Sequence, residues 1–388
     1  MIHRTLASTL KHLTTQYPVV TVTGPRQSGK TTLVRAAFPE WRYVSLEEPD
    51  MREYATRDPR GFIADYPAGA IVDEAQRAPD LFSYIQTHVD TLDKEGVYVL
   101  TGSFNFGLME GISQSLAGRA AILELLPFSL SELDQSDHVP DSIEALMFTG
   151  GYPRIYDKQL DPQRWYADYV TTYLERDVRQ VKNVTDLTLF QRFLKMCAAR
   201  SGHILNLSSL GDDCGITHNT ARSWLSILEA GYIVYLLKPH HKNFNKRLIK
   251  RPKLYFCDSG LLSYLLGIRS PQGLSAHASR GHIFETWVIS ELLKNRLNTG
   301  LKDNLYFWRD NSGHEIDCII DKGDALIPVE VKSGKTISPD FFKGLRFWSK
   351  ISGAEGRHMV LVYAGEMEQN RKEGRVLSWK SLGRGDLF

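Results

Sequence analysis

The fold is decided by the stretch PVVTVTGPRQSGKTTL, residues 18–33. Its first six residues form a short, mostly β-branched apolar run, which predicts a buried strand. The residues after it match G-x-x-x-x-G-K-[ST], the pattern of a phosphate-binding loop that enters a helix. Glycine at both ends of such a loop lets the backbone approach phosphate without a Cβ, and the helix start adds the positive end of its dipole. This stretch therefore predicts a nucleotide-binding α/β domain.

Each part of this loop has an expected place around a bound nucleotide. Lys30 is expected to reach the β- and γ-phosphates, and the Thr31 hydroxyl is expected to hold Mg²⁺. Successive main-chain N–H groups of the loop are expected to point towards the phosphates. ATP and Mg²⁺ are the cofactors that this arrangement implies. The predicted nucleotide-binding set is Gly24, Pro25, Arg26, Gln27, Ser28, Gly29, Lys30, Thr31 and Thr32.

Two acids follow a second apolar run about forty residues later. The run Ala70-Ile71-Val72 is followed directly by Asp73 and Glu74. Asp73 is expected to complete the magnesium shell, as the acid of a Walker B motif does. Glu74 is the candidate base for the attacking water, a role that accelerates reactions by roughly 10²–10⁴-fold. The alternative for both residues is an acidic turn at a strand end.

A third apolar run, residues 97–100, ends in Thr101-Gly102-Ser103. Ser103 or Thr101 is expected to contact the γ-phosphate or the attacking water. Many parallel strands end in small polar residues of this kind, so an ordinary strand end is the alternative. Short strands alternate with helical stretches from Val19 to Leu125, which predicts a parallel sheet with helices on both faces.

Length and charge limit the class of protein. The chain has 388 residues, enough for two or three domains, and its 42% hydrophobic and 24% charged residues are ordinary for a globular protein. There are 47 Lys and Arg against 45 Asp and Glu, which gives a net charge of +2. Any argument for nucleic-acid binding therefore depends on local patches.

The cysteines and the apolar runs indicate the compartment. The four cysteines lack C-x-x-C spacing, which disfavours a zinc site or a disulfide framework and fits a reducing cytosol. No apolar run approaches 18 residues, and the N-terminus has neither a long apolar core nor a small-residue cleavage site. We therefore expect a cytoplasmic protein without a membrane span or a secretory signal.

Several motifs along the chain resemble those of one protein family. The sequence is similar to prokaryotic AAA+-type P-loop ATPases, specifically to the family in which this ATPase precedes a C-terminal domain of unknown function related to restriction-endonuclease folds. This resemblance covers nearly the whole chain and implies a fold and an ATPase activity more firmly than a biological role. Its motifs lie at residues 24–31, 72–76, 100–103, 115–119 and 150–153.

The resemblance also implies a homo-oligomeric ring, with a hexamer as one candidate. In such rings an arginine from a neighbouring subunit acts on ATP and raises turnover by roughly 10³–10⁵-fold. Arg119, in Ala117-Gly118-Arg119, is the candidate on the ATPase domain, and Arg176 and Arg179 are its rivals. The alternative for each arginine is an ordinary surface residue or an ion pair.

The apolar pattern changes to helical spacing near Pro162. Residues 156–200 are predicted to form a small helical lid beside the nucleotide. Residues 207–228 then predict a helix-turn-helix in which Thr217 is the N-cap of the second helix. Two further strands with a loop between them complete a predicted winged-helix domain, residues 201–270.

The segment from Lys238 to Lys253 contains seven Lys or Arg, two His and no acid. In a chain of nearly neutral charge, this concentration predicts contacts with the phosphates of DNA or RNA, and binding that weakens as salt rises. Such contacts would be mostly to the sugar-phosphate backbone of the nucleic acid, and the binding would be weakly sequence-specific. The alternative is a solvated basic hairpin on a domain that binds only proteins. The predicted nucleic-acid contacts are Arg222, Lys242, Lys246, Arg247, Lys250 and Arg251.

The C-terminal segment, residues 275–388, contains a second candidate catalytic site. Asp317 and the later run Glu330-Val331-Lys332 form the D…E-x-K constellation of restriction-endonuclease-like nucleases. The two acids would bind Mg²⁺ through carboxylate oxygens, and Lys332, on the same strand face as Glu330, would orient or activate water. Glu285, on a preceding helix, matches an additional acid of such sites. The alternatives are metal binding without cleavage, or a structural or binding domain that keeps only the fold.

Together these patterns and the family resemblance predict an α/β protein with four parts. They are a P-loop AAA+-type ATPase domain at residues 1–155, a helical lid at 156–200, a winged-helix domain at 201–270 and a restriction-endonuclease-like α/β domain at 275–388. The leading hypothesis is an ATP-driven ring that acts on nucleic acid as a motor or remodeller. The alternatives are a nucleotide-dependent regulatory or defence switch with protein-binding modules, and a nuclease that is licensed by its ATPase.

Overall fold

The amino-terminal third of the chain folds around a parallel β-sheet. The computed structural model describes residues 2–103, 105–174, 186–241 and 248–384. The strands of this sheet are β1 (Val19–Thr23), β2 (Tyr43–Ser45), β3 (Ala70–Asp73), β4 (Tyr98–Gly102) and β5 (Ala120–Glu124). They lie in the order β2-β3-β4-β1-β5, and every neighbouring pair is parallel. The parallel sheet expected from the sequence is thereby confirmed.

Helices cover both faces of this sheet. Neighbouring residues of β3 enter different apolar cores, because Ala70 and Val72 pack on one face and Ile71 packs on the other. This alternation is what a strand buried on both faces produces. The helices are α1 (Leu6–Leu13), α2 (Lys30–Ala37), α3 (Pro49–Arg57), α4 (Pro59–Ala64), α5 (Leu81–Leu92), α6 (Asn105–Ser115) and α7 (Leu130–Asp134), with a 3-10 turn at Ala75–Arg77.

The strand order brings three distant motifs to one edge of the sheet. Strand β4 lies between β1, which leads into the phosphate-binding loop, and β3, which ends at Asp73. Because the strands are parallel, their carboxyl ends meet at the same edge, the usual ligand-binding edge of such sheets. Residues 24–31, 73–74 and 101–103 therefore lie close together in space.

The middle of the chain is mainly helical. Its described helices are α8 (Ile143–Thr149), α9 (Pro153–Asp157), α10 (Pro162–Tyr169), α11 (Leu187–Ala199), α12 (Leu207–Cys214) and α13 (His218–Ala230), with a π-helical turn at Val170–Leu174. The short strands β6 (His203–Ile204), β7 (Val234–Pro239) and β8 (Lys253–Phe256) pair antiparallel in the order β7-β8-β6. Thr217 caps α13 as predicted, since its hydroxyl accepts the Thr220 N–H at 3.1 Å. The winged-helix assignment stays a prediction with which this arrangement agrees.

The C-terminal region continues the sheet of the middle region. The remaining strands are β9 (Leu305–Arg309), β10 (Glu315–Asp321), β11 (Leu326–Lys332), β12 (Val360–Tyr363), β13 (Gln369–Arg371) and β14 (Gly374–Ser378). Strand β9 pairs with β7, so the order across this sheet is β13-β14-β12-β11-β10-β9-β7-β8-β6. The two predicted C-terminal domains therefore share one sheet. The remaining helices are α14 (Ser259–Leu265), α15 (Pro271–Ala276), α16 (Arg280–Asn298) and α17 (Lys343–Ser352), with 3-10 turns at Pro339–Phe342, Gly356–His358 and Trp379–Arg384.

Helix α16 is buried on most of its sides. The buried residues include the polar side chains of Thr286, Glu291 and Lys294. The Lys294 ammonium group donates to the Phe128 carbonyl at 3.0 Å, and Arg280 pairs with Glu144 of α8 at 2.8 Å. These contacts fasten α16 to the end of the ATPase region and to the middle region.

In the described ranges, no helix has the length and apolar character needed to cross a membrane. All four cysteines are buried free thiols, in agreement with the expected lack of a disulfide framework. Burial raises the pKa of the Cys257 thiol, which keeps it protonated and unreactive.

Candidate functional site

The phosphate-binding loop begins where β1 ends and closes at the start of α2. Gly24 has a φ of +149°, and a Cβ at this position would overlap the carbonyl of Leu125, so only glycine fits. Gly29 has a φ of +91° and is the N-cap of α2. The two glycines of the motif therefore stand where the backbone requires them.

Lys30 is buried at the first turn of α2. Its ammonium group donates to the carbonyl oxygens of Gly24 at 2.9 Å and Pro25 at 2.8 Å. These bonds fold the side chain over its own loop, where the phosphates of a nucleotide lie in proteins with this motif. The contact of Lys30 with the β- and γ-phosphates stays a prediction.

The carboxylate of Asp73 is surrounded by hydroxyl groups. Its Oδ2 accepts hydrogen bonds from Thr31 Oγ1 at 2.9 Å and from the Tyr43 hydroxyl at 2.8 Å, and its Oδ1 accepts one from Thr101 Oγ1. Burial and the hydrogen bond to Asp73 raise the pKa of the Tyr43 hydroxyl, which therefore stays a donor. The strand order brings the two predicted magnesium ligands, Thr31 and Asp73, together. Hydroxyl and carboxylate oxygens are ligands that Mg²⁺ prefers, so this pair fits the ion.

Glu74 is held by two hydrogen-bond donors. Ser103 Oγ donates to its Oε1 at 2.5 Å, and Gln76 Nε2 donates to its Oε2 at 2.7 Å. The backbone of Glu74 has a φ of +55°, a left-handed conformation that costs a non-glycine residue free energy and is frequent at functional sites. The carboxylate is therefore oriented from both sides, as a base for a bound water needs to be.

These contacts give Ser103 and Thr101 different partners. Ser103 contacts Glu74, whereas Thr101 contacts Asp73, so Ser103 is the one beside the candidate base. Two polar partners were missed from the sequence. Gln76 belongs to the motif at residues 72–76, and its position two residues after Glu74 was an available signal. Tyr43 gave no signal, because its neighbour in the sheet becomes known only from the strand order.

A cleft of about 830 Å³, within the usual range for a small-molecule site, opens at this edge of the sheet. Gly24, Pro25 and Ser28 of the predicted loop do not line it. From the predicted residues it is lined by Arg26, Gln27, Gly29, Lys30, Thr31, Thr32, Glu74 and Ser103. Its other lining residues are Ile2, Arg4, Glu47, Phe128, Pro153, Arg154, Asp157 and Lys158.

Three of the unpredicted lining residues, Arg4, Arg154 and Lys158, are cations. Arg4 and Lys158 are paired with Glu132 and Asp157, so Arg154 is the one that adds positive charge beside Lys30, which favours a polyanion such as a triphosphate. Arg154 and Lys158 follow the sequence motif at residues 150–153, which was an available signal for them. Arg4 gave none, because its position depends on how the N-terminal segment packs against the rest of the domain.

Arg119, the predicted trans-acting arginine, lies away from this cleft. It precedes β5, and because β5 runs parallel to β1 it stands at the opposite edge of the sheet from the phosphate-binding loop. Its guanidinium donates to both carboxylate oxygens of Asp90, at 2.5 and 2.9 Å, and this contact lowers the pKa of Asp90. Action on a neighbouring subunit stays a prediction. The rivals Arg176 and Arg179 lie outside the described residues.

The predicted C-terminal site residues do come together. We give the name carboxylate cluster to four acids, of which Glu315 was not predicted from the sequence: Glu285, Glu315, Asp317 and Glu330. Lys332 donates to Glu330 Oε2 at 2.7 Å and to Asp317 Oδ2 at 3.4 Å. Asp317 Oδ2 also accepts the Val331 N–H at 2.9 Å. The strand-face argument for Glu330 and Lys332 is consistent with this contact.

A second lysine, Lys253 of β8, enters the carboxylate cluster from the middle region. It is buried, and its ammonium group pairs with Glu285 at 3.0 Å and also with Glu315. The Tyr255 hydroxyl donates to the same oxygen of Glu285 at 2.5 Å. Lys253 therefore points inward, and it does not add to the basic surface that the sequence predicted for residues 238–253.

The two central acids of the carboxylate cluster have opposite pKa shifts. Burial and the charge of Asp317 raise the pKa of Glu330 to about 8. Burial opposes ionisation of Asp317 as well, but the ammonium groups of Lys332 and Lys253 outweigh it and lower the pKa of Asp317. Near neutral pH the first carboxyl is therefore mainly protonated and the second is ionised.

Lysines lie beside the acids of the carboxylate cluster that were predicted to bind Mg²⁺. No group of three or more His, Cys, Asp or Glu side chains among the described residues is arranged to hold a metal ion. Metal binding and cleavage by Asp317, Glu330 and Lys332 stay predictions.

The predicted nucleic-acid contacts are only partly visible. Arg222 is exposed on α13, and Lys250 and Arg251 are exposed just before β8. Lys242, Lys246 and Arg247 lie outside the described residues. The described part of the basic segment therefore offers two exposed cations, Lys250 and Arg251, and Arg222 adds a third from α13.

Three family models match successive parts of the chain. An AAA domain matches residues 16–134, which include the phosphate-binding loop, Asp73 and Glu74. A domain of unknown function (DUF8612) matches residues 140–272, and another (DUF4143) matches residues 280–382. The AAA match agrees with the site geometry, and the C-terminal domain is one of unknown function.

Solved structures of other ATPases are similar to parts of the chain. The Walker-type ATPase Paby2304 of Pyrococcus abyssi is 17% identical, with a TM-score of 0.45, over 67% of this chain and 94% of that one. AMPPCP-bound DnaA from Aquifex aeolicus is 16% identical, with a TM-score of 0.30, over 58% of this chain and 85% of that one.

Two curated proteins are similar over almost the whole chain. They are the uncharacterized protein Rv2008c of Mycobacterium tuberculosis and the uncharacterized protein Mb2031c of Mycobacterium bovis. Each is 30% identical over 369 residues, which is 94% of this chain and 80% of the relative. Because this similarity spans all three matched regions, the chain belongs to the family of AAA+-type P-loop ATPases with a C-terminal domain of unknown function that includes these mycobacterial proteins.

Proposed function

We propose that the protein hydrolyses ATP in the cleft at residues 24–31 and uses the reaction to act on nucleic acid. One observation carries the catalytic part of this proposal. Thr31 with Asp73 and Ser103 with Glu74 form two hydrogen-bonded pairs at the same sheet edge, beside Lys30. The Thr31–Asp73 pair offers an ion site, the Ser103–Glu74 pair offers a base, and Lys30 offers a cation over the phosphates. Phosphoryl transfer needs these three elements.

Each residue has a defined part in the reaction. Lys30 neutralises charge on the β- and γ-phosphates. Bound Mg²⁺, held by Thr31 and Asp73, would neutralise charge on the same phosphates. A water attacks the γ-phosphorus, the bond between this phosphorus and the β-phosphate oxygen breaks, and the proton of the water passes to Glu74. Ser103 and Gln76 keep the Glu74 carboxylate facing this water.

The cleft is connected to the middle region through the segment that supplies Arg154. Just before it, the Gly151 N–H donates to Asp258 Oδ2 at 2.7 Å, and the Tyr166 hydroxyl donates to Asp258 Oδ1 at 2.7 Å. Asp258 is buried and caps α14 through the Leu261 N–H. A displacement of Arg154 by the γ-phosphate would therefore be passed to a buried residue of the middle region.

The nucleic-acid part of the proposal depends on exposed cations. Arg222, Lys250 and Arg251 provide positive charge on the middle region, and the basic segment adds three further cations outside the described residues. DNA binding should then weaken steeply with salt, because each neutralised phosphate releases counterions. The contacts would be mostly to phosphates, so little sequence preference is expected.

DNA-dependent ATPase activity tests the nucleic-acid part. At low salt, double- or single-stranded DNA or RNA is expected to stimulate phosphate release by the wild type several-fold. The variant K250E/R251E should lose this stimulation and keep its basal rate. The matched control K11E/K94E makes the same charge change on exposed residues of the ATPase region and should still be stimulated. Equal stimulation of both double variants would contradict the proposed surface.

The predicted homo-oligomeric ring is tested by its assembly with ATP and by the turnover of an Arg119 variant. Mass photometry with ATP is expected to show an oligomer, and R119A should lower turnover without weakening ATP binding. Mixing R119A with K30A should restore part of the turnover, because some interfaces then combine an intact cleft with an intact arginine. Full activity of R119A alone would remove this residue from the mechanism.

A nucleotide-dependent switch is the second candidate function. It is favoured by the carboxylate cluster, in which two lysines contact the acids that a nuclease would need for metal binding. A switch would show ATP hydrolysis without stimulation by DNA or RNA. Strand cleavage that is lost in D317A would instead support the nuclease hypothesis.

A further inference from the structure

Arg4 lies buried beside the phosphate-binding loop, far from it in sequence. Its Nη1 donates to the Ser28 carbonyl at 2.7 Å, and its Nη2 donates to the Leu126 carbonyl at 2.6 Å. Its Nε donates to Glu132 Oε1 at 2.9 Å. Three N–H groups of one guanidinium therefore have acceptors on three separate segments of the chain.

Glu132, the ion-pair partner of Arg4, is itself firmly held. It is 1% exposed, and its Oε1 also accepts the Thr5 N–H at 2.9 Å. Its Oε2 accepts the Ser129 N–H at 2.9 Å as part of the capping box of α7. A buried carboxylate with this many donors has little freedom to move, so Arg4 is anchored from the side opposite the loop.

The contact with Ser28 has a consequence for the next residue. The peptide between Ser28 and Gly29 is trans, as are the other described peptide bonds, so its C=O and N–H point in opposite directions. With the carbonyl directed at Arg4, the N–H of Gly29 is directed away from Arg4. Gly29 is the N-cap of α2 and lines the cleft, so its N–H is one of the groups that bind phosphate in this motif.

We propose that Arg4 is a positioning residue for nucleotide binding, which holds the Ser28 carbonyl so that the Gly29 N–H faces the phosphates of the nucleotide. This inference depends on the proposed function, because it assumes that the cleft binds a nucleoside di- or triphosphate. Arg4 acts through the loop and does not itself perform chemistry. Its loss should therefore weaken binding and leave the chemical step almost unchanged.

The variant R4K tests this role. Lysine keeps the positive charge beside Glu132, but it lacks the planar guanidinium group of arginine and cannot donate to all three acceptors at once. We expect the Kd for ADP, from calorimetry, and the KM for ATP to rise about tenfold, the size of one lost hydrogen bond of about 1.4 kcal/mol. The value of kcat should stay within about twofold, because Glu74 and Ser103 are unchanged.

A matched control separates positioning from general stability. Arg280 also pairs with a carboxylate, Glu144, and also donates to a main-chain carbonyl, that of Ser333, but it does not line the cleft. R280K should lower the melting temperature without changing the Kd for ADP. An unchanged Kd in R4K, or a loss of kcat instead of affinity, would overturn the proposal.

Two further measurements keep the test decisive. If R4K does not fold, R4M combined with E132Q removes both charges and leaves no unpaired buried carboxylate, and the same rise in Kd is expected. In glycine-labelled wild-type protein, the Gly29 amide resonance should move downfield when ADP binds. If the wild type binds ADP with no change in the Gly29 resonance, the proposed role of Arg4 is overturned but the proposed function is not. If the wild type binds neither ADP nor ATP, the proposed function itself is contradicted.

Discussion

The nucleotide cleft contains two acids at the end of one strand, and the carboxylate cluster contains acids on two neighbouring strands, but the partners of these acids also differ. In the cleft, Asp73 and Glu74 accept hydrogen bonds from neutral hydroxyl and amide groups. In the carboxylate cluster, ammonium groups of Lys253 and Lys332 contact the acids. The charge of the first pair is therefore available to an ion or a water, whereas in the second pair the charge of Asp317 is matched by lysines and Glu330 is mainly protonated near neutral pH.

This difference shows that an acidic sequence motif does not define the chemistry of a site until the hydrogen-bond and ion-pair partners of its acids are known. Neutral donors orient a carboxylate and leave its charge for a ligand. A buried lysine supplies the opposite charge itself, and the result is an ion-pair network that tolerates no missing member.

The largest expected effect is the loss of nucleotide binding in K30A. The variant removes the ammonium group that lies over the loop, so the phosphates lose their principal cation. Calorimetry should show ATP binding to the wild type and none to K30A, with both proteins equally folded by circular dichroism. Wild-type affinity in K30A would contradict the assignment of the loop.

The next effect concerns the stability of the carboxylate cluster. K253M should leave Glu285 and Glu315 without their buried partner and lower the free energy of unfolding by about 3–5 kcal/mol. In the variant K253M/E285Q, part of this loss should be regained, because one unpaired charge is removed. Urea unfolding measures the free energy of unfolding of both variants. ATP binding should be retained in the folded protein, since the cleft does not contain these residues.

A smaller effect concerns pH. In the unfolded chain Glu330 ionises near its ordinary pKa of 4.5, and in the folded protein burial raises this pKa to about 8. Between these values the folded protein binds the extra proton, so the free energy of unfolding should fall as pH rises from about 5 to about 8. The lowered pKa of Asp317 affects stability only in acid, below its ordinary value of 3.8.

E330Q is the variant that isolates this pH effect. Glutamine does not titrate, so urea unfolding between pH 5 and 8 should show a flatter dependence than in the wild type, with a difference of at least about 1 kcal/mol at the alkaline end. Parallel curves for the two proteins would assign the pH dependence to other groups.

The smallest effect is expected at Tyr43, which tests the neutral partners of the cleft. Y43F removes one of the hydroxyl donors to Asp73, worth about 1 kcal/mol. The Mg²⁺ concentration needed for half-maximal ATPase activity should change by a few-fold, while ADP binding without Mg²⁺ should not change. A loss of nucleotide binding itself would mean that Tyr43 supports the loop and not the ion site.

The loop, the acidic strand end and the parallel sheet could be predicted because each depends on short-range patterns. Glycines at fixed spacing, a β-branched run and two acids at a strand end carry their meaning locally. Tyr43 and Arg4 could not be found in this way, because their partners lie on segments that only the folded chain brings together. The same reason hid Lys253: a basic residue in a basic segment predicts exposure, but its strand turns it towards Glu285.

The most direct test of the central claim compares the wild type with E74Q. We expect E74Q to bind ATP with wild-type affinity in calorimetry and to release phosphate more slowly by roughly 10²–10⁴-fold, because the base is lost while the phosphate contacts remain. Glutamine keeps the shape of the side chain, and its oxygen can still accept a hydrogen bond from Ser103. Phosphate release by E74Q at the wild-type rate would mean that Glu74 is not the base.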